Sequence, residues 1–218
     1  MSTPLVDSHS SVLTQNGLVC SASPLAGAIG SGVLRDGGNA FDAAVAVAAA
    51  ECVTLPPMCG IGGEVFALCY EAKTGRLYGV SGSGRAPWGA SREYFIERGY
   101  SKMPADGPLT AAVPGEINAW KAILDRWGTR KIDQLLAPSI AMAANGFPLP
   151  KGIASYFTNH LEKLKKFATT AAVFVKADGS PYTAGDVLVQ KDLARSLERI
   201  AQQGLDEFYL GSLADEIA

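Results

Sequence analysis

Residues 37–66 read GGNAFDAAVAVAAAECVTLPPMCGIGGEVF, and this stretch predicts a capped buried helix, a tight loop and then a buried strand. Asn39 can cap the helix, and Asp42 in the first turn is favourable near the positive helix end. The alanines and valines behind them present almost no polar surface, so we expect the helix inside the protein. Pro56 and Pro57 end it, because neither residue has a backbone N–H to donate. The glycines that follow allow backbone conformations that a side chain would forbid.

Outward from this stretch, the pattern predicts one small sheet followed by helices. Residues 1–16 are expected to form a loose arm and 17–21 a short strand. Apolar runs at 65–70 and 76–80, joined by a turn containing Gly75, predict an antiparallel hairpin, and residues 109–113 can return to the sheet. Helices are expected at 24–35, 91–98, 116–127, 132–144, 151–166 and 190–203, and from 206 to the end. The chain is therefore predicted to be α+β and to form a single domain over residues 1–218.

Composition excludes several classes of partner. The net charge of -2 and a pI near 5.7 leave no basic footprint for nucleic acid. Asp42 and Glu51 interrupt the best candidate for a membrane span, so no membrane association is expected. Residues 1–16 lack the basic and apolar regions of a secretory signal.

The cysteine pattern also bears on the compartment. The four cysteines lack any C-x-x-C pair, and we expect them to be buried free thiols of a reducing compartment; they are Cys20, Cys52, Cys59 and Cys69. These observations favour the cytoplasm, unless a leader was removed upstream.

Common catalytic and cofactor patterns fail on spacing. A nucleophile elbow would need glycine where Ser83 stands. A dinucleotide fingerprint beginning at residue 60 meets Val65, and one beginning at residue 82 meets Pro87. His9 and His160 lie far apart and are expected to be solvated surface groups without metal-ligand spacing. We therefore predict no metal and no cofactor.

Five segments in order carry a family resemblance: GLVCSASPLA at 17–26, the stretch at 37–66, RAP at 85–87, AVPG at 112–115 and FYLG at 208–211. Together they resemble the large-subunit half of the gamma-glutamyltranspeptidase family of N-terminal-nucleophile hydrolases. The resemblance implies a four-layer αββα sandwich, made from one precursor that cuts itself in two and completed by a second, small subunit.

The resemblance places the nucleophile on that partner. In the family, a Thr at the N-terminus of the small subunit attacks the substrate, with its own α-amine as the base. No catalytic residue is therefore assigned to this chain. Exposure of Ser2 by processing is formally an alternative, but the flanking arm has no apolar strand to hold it.

Arg85 and Ser83 are the candidate substrate-binding residues. The family reads the substrate carboxylate with an Arg in the motif Arg, Glu, any residue, Ala, Pro. Here Ser83 fills the Arg position and Gly84 the Glu position, while Arg85 stands two residues later. An Arg held there can still offer forked donors to a carboxylate. The alternative is a structural salt bridge or carbonyl bond. The glycines at 60–63 either form only a tight turn or also donate backbone N–H groups near the active site.

The altered motif shapes the functional expectation. We expect an amidohydrolase acting on a small carboxylate-bearing amide, of the oxamate-amidohydrolase or acylase kind. A true gamma-glutamyltransferase or glutathione hydrolase is the first alternative. A non-catalytic scaffold subunit is the alternative from another class, and a nucleotide-binding protein is weakened by the failed glycine spacings.

Overall fold

The protein is described here by a computed structural model that covers residues 12–218. The predictions that concern Ser2, His9 and most of the N-terminal arm lie outside the described residues. Within them the chain is α+β and rich in helices, as predicted. The helices are α1 (Pro24–Arg35), α2 (Ala40–Thr54), α3 (Arg92–Glu97), α4 (Glu116–Trp127), α5 (Ile132–Asn145), α6 (Lys151–Asn159), α7 (Leu161–Lys165), α8 (Ala168–Phe174), α9 (Lys191–Gln203), α10 (Glu207–Leu210) and α11 (Ser212–Ile217). The strands are β1 (Val65–Glu71), β2 (Arg76–Gly82), β3 (Phe147–Pro148) and β4 (Val187–Leu188).

Helix α2 is the buried centre that the opening stretch predicts. The side chain of Asn39 accepts hydrogen bonds from the backbone N–H groups of Phe41 (2.8 Å) and Asp42 (3.0 Å). The Asp42 carboxylate accepts one from the backbone of Asn39 (2.9 Å), which completes a reciprocal capping box. The helix packs against α1, α4 and α5. Gly30 of α1 allows the first of these contacts, because a Cβ there would stand 2.5 Å from a methyl carbon of Val47.

Strands β1 and β2 form the predicted antiparallel hairpin, whose turn contains Gly75 with a positive φ of 69°. One face of the hairpin covers α4 and buries Cys69. The other face is apolar and open: Leu68 is 80% exposed and Phe66 is 67% exposed. We call this outer surface the open hairpin face; its large side chains are Phe66, Leu68, Tyr70 and Leu77.

The late helices supply the rest of the core. Helix α5 packs along α9. Strands β3 and β4, which follow α5 and precede α9 in the sequence, form a second antiparallel pair. Pro138 lies inside α5. The largest fully buried side chains include Trp120, Phe157, Leu135, Leu136, Leu188, Leu197 and Ile200. These residues continue the apolar cluster that begins at α2.

Four element predictions were wrong. Residues 17–21 form no strand, because Val19 packs against Gly30 of α1 and pairs with no described strand. Residues 109–113 give a short 3-10 turn (Pro108–Thr110) and then an extended segment. The helix expected over 151–166 is broken at His160, and the helix expected from 206 to the end is broken at Gly211.

The exposure of His160 and of two cysteines also differs from the prediction. His160 is half-buried and not solvated, because its ring stacks on Tyr156 and its Nδ1 donates to the carbonyl oxygen of that residue (3.0 Å). All four cysteines are free thiols, as expected, but Cys20 is exposed and Cys59 only half-buried. Cys20 lies in the segment 17–21, which pairs with no strand among residues 12–218.

Candidate substrate-binding site

The loop that leaves β2 borders a cleft of about 680 Å³. Both sequence-predicted residues, Ser83 and Arg85, line this cleft and are exposed. The cleft walls come from three parts of the chain: residues 83–88, the segment 113–118 at the start of α4, and residues 206–210 around α10. The structure thus gathers three of the five segments named above into one place.

Arg85 is held by its backbone and leaves its side chain available. Its carbonyl oxygen accepts a hydrogen bond from the N–H of Val113 (2.9 Å). Over residues 12–218 its guanidinium makes neither a hydrogen bond nor a salt bridge. The alternative role of Arg85, a structural salt bridge or a hydrogen bond to a carbonyl group, therefore has no partner among residues 12–218.

Glycines make this loop and the segment before α4 fit together. A Cβ at Gly84 would stand 1.9 Å from the carbonyl oxygen of Val113. A Cβ at Gly115 would stand 2.0 Å from the carbonyl oxygen of Gly82. Any side chain at these two positions would push the segments apart. The sequence placed glycine in both motifs but did not indicate that the two segments touch.

The glycine cluster at 60–63 anchors the same region. The N–H of Gly63 donates to the carbonyl oxygen of Gly60 (2.8 Å), which closes the tight turn. The carbonyl oxygen of Gly63 then accepts from the N–H groups of Gly115 (3.0 Å) and Glu116 (3.1 Å). The turn therefore supports the backbone at the start of α4.

Glu116 is a buried acid that sequence reasoning missed. Burial raises its pKa to about 7, and the charge of Glu51 raises it too, against a hydrogen bond that Trp120 Nε1 donates to Glu116 Oε1 (3.0 Å). Glu51 in turn accepts from the hydroxyl group of Ser21 (2.6 Å). In the sequence, Glu116 stands at the start of an amphipathic helix and therefore resembles an ordinary first-turn acid.

The thiols beside this acid are held in the protonated form. Burial raises the pKa of Cys52, and the carboxylate of Glu116 adds to the effect. Burial also raises the pKa of Cys59, with Glu51 the next cause. Neither thiol therefore has the lowered pKa of a reactive nucleophile.

Tyr209 is the second missed residue. Its hydroxyl group donates to the carbonyl oxygen of Pro114 (2.8 Å) and accepts from the N–H of Asn118 (3.1 Å). Burial raises the pKa of its phenol. In the sequence the FYLG segment only contributes to the family resemblance, which gives no reason to assign its tyrosine to the cleft.

Residues 12–218 contain no group of three or more His, Cys, Asp or Glu side chains arranged to hold a metal ion. No helix among them combines the length and the apolar character that crossing a membrane requires.

The fold and the cleft place the chain among the N-terminal-nucleophile hydrolases. Its structure superimposes on gamma-glutamyltranspeptidase from Helicobacter pylori with a TM-score of 0.90 and 36% identity, over 95% of this chain and 60% of that one. Cephalosporin acylase from Bacillus halodurans gives a TM-score of 0.87 and 32% identity, over 100% of this chain and 42% of that one.

The family follows from sequence comparison. The family model for gamma-glutamyltranspeptidase matches residues 26–218, so the chain belongs to the gamma-glutamyltranspeptidase family. The glutathione hydrolase proenzyme of Bacillus subtilis (strain 168) is 39% identical over 208 residues, which cover 94% of this chain and 35% of that protein. The chain thus spans about a third of the length of this curated relative and corresponds to the large-subunit portion of the family.

Proposed function

We propose that this chain is the large-subunit part of an autoprocessed amide-bond hydrolase. The nucleophile is a Thr at the N-terminus of a small subunit, and the substrate is a small amide that carries a carboxylate. The observation that carries the proposal is Arg85, an exposed guanidinium without a described protein partner, in a cleft formed by three of the family segments.

The chemistry of Arg85 suits a carboxylate. A guanidinium presents a planar fork of donors that can pair with both carboxylate oxygens, and the pair also fixes the orientation of the bound group. The loop that carries Arg85 is held because Gly84 lies directly on the backbone of Val113. Ser83 lines the same cleft and can contribute a hydroxyl group to the substrate.

The altered motif supports an acyl group other than glutamyl. The family motif that reads the glutamyl carboxylate has Arg and Glu where this chain has Ser83 and Gly84. We therefore favour an amidohydrolase of the oxamate-amidohydrolase or acylase kind, and similarity to a protein named cephalosporin acylase agrees with this choice. Glutathione hydrolysis is the second candidate, and the identity to a glutathione hydrolase proenzyme favours it.

The open hairpin face supports the partner. Four large apolar side chains on one face of a two-stranded sheet are what a covering layer buries in a stable domain. The small subunit would provide that layer and bring its Thr to the cleft. A non-catalytic scaffold would need the same cover but no Thr.

The first experiment looks for the partner and the second tests Arg85. Mass spectrometry of the native protein should show a second polypeptide that begins with Thr; a chain that never acquires one would support the scaffold. The assembled protein is then assayed on a panel of small carboxylate-bearing amides that includes glutathione.

Arg85→Ala should raise KM for the preferred carboxylate substrate by roughly 10-fold or more, the loss expected for a hydrogen-bonded charge pair. Arg195→Ala is the matched control, because Arg195 is an exposed arginine of α9 whose salt bridge within residues 12–218 is with Asp192. An unchanged KM in Arg85→Ala would refute the binding role.

A further inference from the structure

Tyr209 joins the last part of the chain to the wall of the cleft. It lies 95 residues after Pro114, whose carbonyl oxygen accepts its hydroxyl proton at 2.8 Å. The same hydroxyl oxygen accepts from Asn118 (3.1 Å), whose N–H lies in the first turn of α4 and has no intrahelical partner. One phenol group therefore satisfies two backbone groups at the junction between the segment and the helix.

This junction is in direct contact with the Arg85 loop. Val113 precedes Pro114 and donates its N–H to the carbonyl oxygen of Arg85 (2.9 Å). Its own carbonyl oxygen lies against Gly84, where no Cβ fits. The peptide of Val113 is thus held between the Arg85 loop on one side and the residue that Tyr209 fixes on the other.

Helix α10, which presents Tyr209, is too short to be stable by itself and is anchored by Glu207. The buried carboxylate accepts from Arg199 Nη2 (2.9 Å), from the backbone of Leu213 (3.1 Å) and from the hydroxyl group of Ser212 (3.1 Å). Gly211 makes room for it, since a Cβ there would stand 1.7 Å from Glu207 Oε2. These contacts hold α10 in place and thereby fix the position of Tyr209.

We infer that Tyr209 is a positioning residue: it holds the backbone of residues 113–115 so that the Arg85 loop presents its guanidinium to the carboxylate of the substrate. The inference rests on the proposed binding role of Arg85 and adds the element that keeps that arginine in place. Tyr209 itself need not touch the substrate.

The first test is hydrogen exchange in the assembled protein, and it does not depend on activity. Tyr209→Phe removes only the hydroxyl group, and the ring can keep its edge-on contact with Phe208. Amide exchange should accelerate in the peptide that contains residues 113–118 and stay unchanged in α5 and α9. Tyr182→Phe is the matched control, because that tyrosine packs near Phe157 away from the cleft. Unchanged exchange at 113–118, or a uniform increase over the whole chain, would overturn the inference.

The second test separates positioning from general stability. Tyr209→Phe removes two neutral hydrogen bonds and should raise KM for the carboxylate substrate about fivefold or more, with kcat within about twofold. A matched neutral amide without the carboxylate should show no change. Combined with Arg85→Ala, the tyrosine substitution should add almost nothing, because the two residues act through one contact.

The outcomes of this second test are distinct. If Arg85→Ala weakens binding and Tyr209→Phe does not, the positioning role is wrong and the proposed function stands. If Tyr209→Phe affects charged and neutral substrates equally, the role is structural only and the inference falls. If Arg85→Ala itself has no effect, the proposed function and the inference fall together.

Discussion

Asp42 and Thr129 are 87 residues apart in the sequence and share two hydrogen bonds. The backbone N–H of Thr129 donates to Asp42 Oδ1 (2.8 Å), and its hydroxyl group donates to Oδ2. Arg130 donates a further backbone N–H to Oδ1 (3.1 Å). The carboxylate that begins the central helix therefore also closes the turn after α4. Burial works against its charge, but these bonds and the one from Asn39 outweigh burial and lower its pKa.

We expect Asp42→Asn to destabilise the protein by about 2 kcal/mol or more, because an amide cannot accept all four hydrogen bonds and leaves buried donors unpaired. Chemical denaturation at neutral pH measures the loss. Since the folded pKa lies below the unfolded value of 3.8, the contribution of Asp42 is present above that pH and disappears as the pH falls further.

Asp36→Asn is the control for this substitution. Asp36 lies nearby at the end of α1, but its side chain is 77% exposed. Its replacement should change the free energy of unfolding by no more than about 0.5 kcal/mol. Equal effects of the two substitutions would mean that Asp42 does not join the two segments.

Gly84→Ala should separate the Arg85 loop from the segment before α4. The new Cβ would overlap the carbonyl oxygen of Val113, and relief of such a contact typically costs about 1–3 kcal/mol. Thermal unfolding should show the loss. Gly89→Ala lies in the same loop region with open space around its Cβ and should be nearly neutral. A Gly84→Ala protein as stable as the Gly89→Ala protein would contradict the direct contact.

Glu116 predicts a pH dependence of stability. Its folded pKa of about 7 exceeds the reference value of 4.5, so the folded protein holds the proton more tightly than the unfolded chain. Its contribution is therefore complete below the lower value and is lost as the pH rises through the higher one. Relative to Glu116→Gln, the native protein should lose up to about 3 kcal/mol between about pH 4 and pH 8.

The comparison with glutamine isolates this carboxyl from its neighbours. Titratable groups from three other parts of the chain face Glu116, namely Glu51, Cys52, Cys59 and Tyr209. Glutamine keeps an oxygen that can accept from Trp120 and cannot titrate. Parallel stability curves for the two proteins would show that the carboxyl is not responsible.

The open hairpin face predicts how the chain associates. Leu68→Asp places a charge at the centre of that face and should prevent assembly with the proposed small subunit, because an unpaired charge would be buried. Size-exclusion chromatography and far-ultraviolet circular dichroism follow assembly and helix content. Lys73→Asp in the exposed turn is the control. Normal assembly of the Leu68→Asp protein would exclude this face as the contact.

The parts of the fold that local chemistry determines could be predicted from the sequence. The helix cap at Asn39 and the hairpin around Gly75 depend on residues only a few positions apart, and both are confirmed. The segment at 17–21 failed because a strand exists only with a partner, and its partner in space is a helix. The break at His160 lies in its backbone, which leaves the helical region at a φ of -118° and a ψ of 20°, and helical periodicity does not reveal it.

In the candidate site, too, residues in a local motif could be predicted, whereas residues that depend on distant contacts could not. Ser83 and Arg85 could be proposed from their motif, and both line the cleft, while their role stays a prediction. Glu116 and Tyr209 could not be found, because their significance comes from neighbours 65 and 95 residues away that the folded chain brings to them.

The contact at Gly84 limits which residues can be introduced into this loop. The family motif has Glu at this position, yet the path of this backbone admits no side chain at all. A double substitution to Arg at position 83 and Glu at position 84 would therefore produce a steric clash between the loop and Val113, and this clash would displace the loop. Residues 82–87 and 112–115 pack directly against each other, so replacing one segment with that of a relative requires replacing the other at the same time.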